Sequence, residues 1–269
     1  MELDIESIKE KLFASPLLLL RECLENSEVL ELCNSFLPYS VGIEIEASLV
    51  PDFNKHLSKL DFYCLDKNIY PSEQTFRIPN GYKGLICLEL FSLYLKKYQI
   101  NTNSGNHYHI DCTDNYEKVF IAIKSETEFV LGELDKWETG DKVNERKIVK
   151  NTKFSYCNLR TNFKTAEFRI GELTCEFPLL LKRISHLSYI IKTVRERHNL
   201  SNVLVYDNNI TIKYLLNQIE INDNEYIDFI NKQKLELINK RKQNKKELKE
   251  IIGGLPNKEF LNNKVIKFY

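Results

Sequence analysis

Apolar positions along the chain switch between two periods, and the switches lay out the predicted elements. In VGIEIEASLV, residues 41–50, apolar side chains fall on alternate positions, which predicts a strand. NHYHID at residues 106–111 and TAEFRI at 165–170 read the same way. Ser15-Pro16 pairs a cap residue with proline at the first helical position and opens a predicted helix through about residue 31. Helical spacing returns at residues 85–98, 117–137 and 177–198. Residues 52–80 read as short strands and turns closed by Pro79-Asn80-Gly81, residues 101–106 as a polar loop, and residues 138–144 as a charged loop within an irregular stretch that reaches residue 160. No internal repeat is visible.

After Asp223 the texture changes. Residues 224–252 contain neither Gly nor Pro, and Gly253-Gly254 ends them as a helix stop. From Lys232 to Lys249 there are eight Lys or Arg against two Glu. Such a basic helix could dock on an acidic partner or on nucleic acid. Equally, it could be a solvated helix packed through Tyr226, Ile230, Leu237 and Leu248. No linker sets it apart, so residues 223–269 read as a charged helical appendage of one domain spanning residues 1–222.

Composition narrows the class. In 269 residues, 43% hydrophobic and 11% aromatic side chains make a core-forming globular chain. The 38 Lys and Arg are matched by 38 Asp and Glu, which argues against a chain-wide polyanion binder; nucleic acid is not the expected partner. The start, MELDIESIKE, lacks the basic n-region of a signal peptide, and the longest strongly apolar run, residues 17–20, is far short of a membrane span. Seven scattered cysteines with no C-x-x-C pair speak against a disulfide framework or a zinc-thiolate site. The expectation is a soluble cytoplasmic protein, in the host cytoplasm if phage-encoded.

The candidate chemistry lies in the predicted strands. Successive strand side chains point to opposite faces, so residues two apart share a face at about 7 Å. Glu44 and Glu46 share one face, with Ile43 and Ile45 directed to the core. His107 and His109 pair in the same way opposite Tyr108 and Ile110, as do Glu167 and Arg169 opposite Phe168 and Ile170. A weaker fourth case is Glu73, Thr75 and Arg77. Any one pair could be the wet face of an ordinary sheet. Aligned in one sheet, they would bring together hard oxygen donors for Mg²⁺ or Mn²⁺, two imidazoles, and a guanidinium fit for phosphate or carboxylate. The turn at residues 103–106 could present backbone N–H groups to a phosphate. Arg169 is expected to be dispensable for folding, with Phe168 and Ile170 carrying the packing. No P-loop, dinucleotide fingerprint, G-x-S-x-G elbow or H-E-x-x-H is present. Cys112, on the strand's other face, would point away from both His residues and is not expected to be a nucleophile.

In order, Gly42-Ile43-Glu44-Ile45-Glu46, then Ser104-Gly105-Asn106-His107-Tyr108-His109-Ile110-Asp111, then Glu167-Phe168-Arg169 before a long helix resemble the amidoligase family. These are carboxylate–amine ligases sharing the catalytic fold of glutamine synthetase and glutamate–cysteine ligase. The resemblance covers residues 41–192. It implies an α+β fold, a curved antiparallel sheet with helices on its outer face. It also implies ATP and Mg²⁺ (or Mn²⁺) as cofactors. Glu44 and Glu46 would bind the ions flanking the ATP phosphates, His107 would complete a metal site, and Glu167 and Glu73 would be further acidic ligands. His109 would contact nucleotide phosphate, Arg169 would hold a phosphate or the substrate carboxylate, and Ser104 and Gly105 would lie against the nucleotide. The implied reaction joins a small-molecule or peptide carboxylate to an amine through an acyl phosphate. Two alternatives remain open on the residues: a metal-dependent hydrolase using the same Glu/His cluster, and a non-catalytic scaffold or virion-associated binding protein.

Overall fold

The three strands with polar pairs lie side by side, and the rest of the sheet is built outward from them. The computed structural model describes residues 4–46, 63–64, 73–97, 106–137, 145–151, 155–200 and 204–206, together with eight residues between 228 and 243. Its strands are β1 (Val41–Glu46), β2 (Tyr63–Cys64), β3 (Glu73–Ile78), β4 (Asn106–Asp111), β5 (Glu145–Lys150), β6 (Ser155–Arg160) and β7 (Thr165–Phe168). They form one sheet in the order β2-β3-β1-β4-β7-β6-β5. Helices α1 (Ile5–Ala14), α2 (Leu20–Glu25), α3 (Ser27–Ser35), α4 (Gly81–Lys97), α5 (Tyr116–Ser125), α6 (Thr127–Leu134) and α7 (Phe177–Arg197) complete an α+β fold.

One face of the sheet is apolar, as the alternation predicts. Ile43 and Ile45 of β1, Phe76 and Ile78 of β3, Tyr108 and Ile110 of β4, and Ala166 and Phe168 of β7 are all buried. The long helices α4 and α7 bury Leu88, Phe91, Ile184, Leu187 and Ile191 in the same cluster, with the Phe76 and Phe91 rings 4.7 Å apart.

The structure departs from the sequence expectations in four places. The helix expected from Ser15 to about residue 31 is broken: a 3₁₀ turn (Pro16–Leu19) leads into α2, and Asn26 then takes an extended conformation. The Asn26 side chain accepts from the Glu28 and Val29 N–H groups, and this cap starts α3 afresh. The helix expected over 117–137 divides at Glu126 into α5 and α6, where the Ser125 and Thr127 hydroxyls bond back to the Ala122 and Lys124 carbonyls. The stretch up to residue 160, read as irregular, contains β5 and β6. Exposed Arg146, Lys147 and Lys150 give β5 the charged texture of a loop, and they also suit an edge strand that must not pair further. Lastly, the sheet is mixed rather than wholly antiparallel: β5 and β6 run parallel, with Val149 opposite Asn158. Alternation reports which face a side chain takes, and it carries no information on strand direction.

The described positions of the basic segment, Asp228, Asn231, Lys232, Leu235, Ile238, Asn239, Lys242 and Gln243, are helical and exposed. Tyr226, Ile230, Leu237 and Leu248, the expected packing residues, lie outside the described residues, as does the loop at 138–144. No described helix is long and apolar enough to cross a membrane.

Candidate functional site

The register of the central strands sets the polar face. Glu44 pairs with His107 and with Thr75, Gly42 with His109 and Arg77, and His109 with Glu167. On the far side, Glu167 pairs with Asn158 and Thr165 with Arg160. Residues paired across antiparallel strands share a face, so Glu44, His107, His109, Glu167 and Asn158 lie together on the side opposite the apolar core.

The side chains close into a network around two carboxylates. Glu44 Oε2 lies 2.9 Å from His109 Nε2 and 3.5 Å from His107 Nδ1. His107 Nδ1 is also 3.6 Å from Glu167 Oε1, so this imidazole sits between the two acids. Glu167 Oε1 forms an ion pair with Arg169 Nη2 at 2.7 Å, and its Oε2 accepts from Asn158 Nδ2 at 2.9 Å and Arg160 Nη1 at 3.2 Å. His109 Nδ1 meets the Thr165 hydroxyl at 3.2 Å. Both ring nitrogens of His109 are thus held, Nε2 by the Glu44 carboxylate and Nδ1 by the Thr165 hydroxyl.

Burial strengthens these contacts, because little water competes for the polar groups. The Glu167 side chain is 1% exposed, while Glu44 and His109 each reach 12%. Burial pushes the Glu44 carboxyl up, but hydrogen bonds from His107 and His109 outweigh it and hold the acid well below the usual carboxylate range. Glu167 is likewise held low: burial opposes ionisation, and the nearby His109, Arg169, His107 and Arg160 side chains outweigh it. Both acids are therefore carboxylates, each facing nitrogen donors.

Local backbone features make room for this arrangement. A Cβ on Gly42 would lie 3.2 Å from the Cβ of His109, so the missing side chain lets the imidazole sit over β1. Just beyond Arg169, Gly171 has φ +62°, and a Cβ there would run into the Arg183 guanidinium. That glycine lets the chain leave β7 immediately after its functional positions.

The structure thus brings together Glu44, His107, His109, Glu167 and Arg169 from the sequence expectations. Glu46 and Glu73 are register partners at the end of β1 and β3, and their side chains lie outside the described residues, as do Ser104 and Gly105. Arg169, expected to be dispensable for folding, is buried and paired with Glu167. Sequence reading missed Asn158 and Arg160, because the stretch containing them was read as irregular. Their signal was present in SYCNLR, where Cys157 and Leu159 alternate with Tyr156, Asn158 and Arg160. Cys112 sits in the core on the other face, where burial pushes its thiol up to about 12.

The donor set divides when tested against a divalent ion. Glu44 with the two imidazoles offers oxygen and nitrogen donors suited to Mn²⁺, and the carboxylate alone to Mg²⁺. Glu167 is less available, since Oε2 accepts from Asn158 and Arg160 while the buried Oε1 is ion-paired with Arg169 and makes no hydrogen bond. Among the described residues, no group of three or more His, Cys, Asp or Glu is placed to hold a metal ion. Compared with known proteins, the chain matches no family model, no curated protein and no solved structure.

Proposed function

We propose that the chain is an ATP- and divalent-metal-dependent carboxylate–amine ligase on a sheet like that of glutamine synthetase. The observation that carries the reading is the pair of ionised carboxylates, Glu44 and Glu167, held among two imidazoles and two guanidiniums at four adjacent strands. Their order along the chain is that of the amidoligase motifs.

In this reading Glu44, with His107 and the neighbouring Glu46 and Glu73, holds Mg²⁺ or Mn²⁺. An ion held there would supply charge neutralisation for phosphoryl transfer from ATP to the substrate carboxylate. His109 contacts nucleotide phosphate through the Nε2 that Glu44 gives up on taking the ion, its ring braced by Thr165. Arg169 holds a phosphate or the substrate carboxylate with its planar donor fork. Glu167 positions that fork and Arg160 beside it, which differs from the metal-ligand role implied by the resemblance. Ser104 and Gly105, which the resemblance puts against the nucleotide, lie outside the described residues. The amine of a small molecule or peptide then displaces phosphate to form the amide, a step that needs no covalent nucleophile on the protein.

A second reading, a non-catalytic binding protein, draws support from the closure of the network, in which both Glu167 oxygens are engaged by protein nitrogens. Calorimetry with a non-hydrolysable ATP analogue, with and without Mg²⁺, separates the two. The ligase reading expects metal-dependent binding that Glu44→Gln weakens by at least roughly tenfold, the loss of one charged contact. Absence of nucleotide binding favours the non-catalytic reading, and turnover without ATP would indicate a hydrolase.

A further inference from the structure

We infer that the turn between β6 and β7 carries a stacking shelf for the purine ring of a nucleoside triphosphate, formed by Phe163 beside Arg160 and His109. The inference rests on the nucleotide-binding reading above and assigns the part of the site that would receive the base.

Phe163 is 45% exposed, and single exposed apolar residues are common on protein surfaces. Its position sets it apart. Among the described residues, the other exposed large apolar side chains lie on helices (Ile5, Leu24, Ile121, Tyr189, Leu235 and Ile238) or in a segment without regular structure (Leu204 and Val205). Phe163 instead tips the turn joining the strands that supply Asn158, Arg160, Thr165 and Glu167.

The ring is also oriented by members of the polar network. The Arg160 guanidinium carbon lies 5.4 Å from its centroid, while the same side chain donates to Glu167. The His109 ring meets it edge-on, at 6.5 Å between centroids and an 88° interplanar angle, while its Nε2 contacts Glu44. The turn itself is tied down. Lys164 takes a left-handed conformation, φ +54°, and its carbonyl accepts from the Cys112 N–H at 2.9 Å. A shelf ordered before the ligand arrives loses little conformational entropy on binding.

The chemistry matches a nucleotide in particular. An aromatic face beside a guanidinium suits a planar heteroaromatic ring, through stacking and cation–π attraction. Arg160 and His109, which flank the shelf, also contact Glu167 and Glu44, so the shelf borders the polar network that the phosphates would meet. An aliphatic amino acid or a simple amine has no planar ring for the shelf to hold.

The test compares the full chain with Phe163→Leu and Phe163→Trp by calorimetry in Mg²⁺. The two probes are a non-hydrolysable ATP analogue and inorganic tripolyphosphate, which has the phosphates and no base. Phe163→Leu should weaken the analogue roughly tenfold and tripolyphosphate less than about twofold, and Phe163→Trp should restore analogue binding. Unchanged analogue affinity in Phe163→Leu overturns the shelf, as does an equal loss for both probes. If the unaltered chain binds neither probe, the nucleotide reading itself fails and the shelf falls with it.

Discussion

Arg169 shows how burial alters what a side chain contributes. On sequence it is the polar half of an alternating pair, and its loss should leave the fold intact. In the structure it is buried and ion-paired with Glu167, whose carboxylate is almost wholly enclosed. Removing one partner of a buried pair leaves an uncompensated charge, so Arg169→Ala should cost about 3 kcal/mol. Asn158 and Arg160 still serve Glu167 and keep the loss from growing larger. Combining Arg169→Ala with Glu167→Gln removes the stranded charge and should recover part of the loss in urea unfolding, whereas strict additivity would show that the two residues are not coupled. Phe168→Ala, next along the strand but on the core face, should cost roughly 3–5 kcal/mol through a cavity that no second polar change can repair. Arg169 can therefore serve both folding and ligand binding, and the calorimetric tests read the second role separately.

Among the elements, α4 carries an acid that the polar face does not use. Glu89 is 2% exposed on a helix otherwise rich in buried leucines, and burial pushes its carboxyl up to about 8. A folded-state value above the unfolded one means that the native protein holds the proton more tightly. The resulting stability is fully present below about 4.5, the ordinary value for the side chain, and is lost as pH rises through about 8. Denaturant midpoints should therefore fall between those limits, and Glu89→Gln should flatten that part of the profile. A profile unchanged by Glu89→Gln would show that this acid is not protonated in the fold. The helix boundaries carry a related lesson: Asn26, Ser125 and Thr127 divide predicted continuous helices through side-chain bonds to the backbone, which hydrophobic spacing alone does not register.

For the molecule as a whole, the remaining question is how the C-terminal basic segment relates to the domain. Its described positions are helical and face solvent, including Leu235 at 58% exposure and Ile238 at 48%. A chain ending at Asp223 should accordingly keep the melting temperature of the full chain and, under the proposed ligase reading, the same affinity for nucleotide. Any acidic partner of the lost segment should bind the full chain less tightly as salt rises. A large fall in melting temperature on truncation would instead show that the segment buries an apolar stripe against the domain.

By itself the sequence determined the central strands, the face each side chain takes, and the long helices α4 and α7. These follow from local periods of two and 3.6 that each segment carries within itself. It also showed that Glu44, His107, His109, Glu167 and Arg169 would share a face if their strands shared a sheet. Tertiary structure decided that they do, by setting β4 between β1 and β7 in a register that puts Glu44 beside His107 and His109 beside Glu167. It also decided the parallel pairing of β5 with β6 and brought Asn158 and Arg160 to Glu167. Those outcomes depend on which strand pairs with which, a contest among segments distant in sequence that no local period can settle.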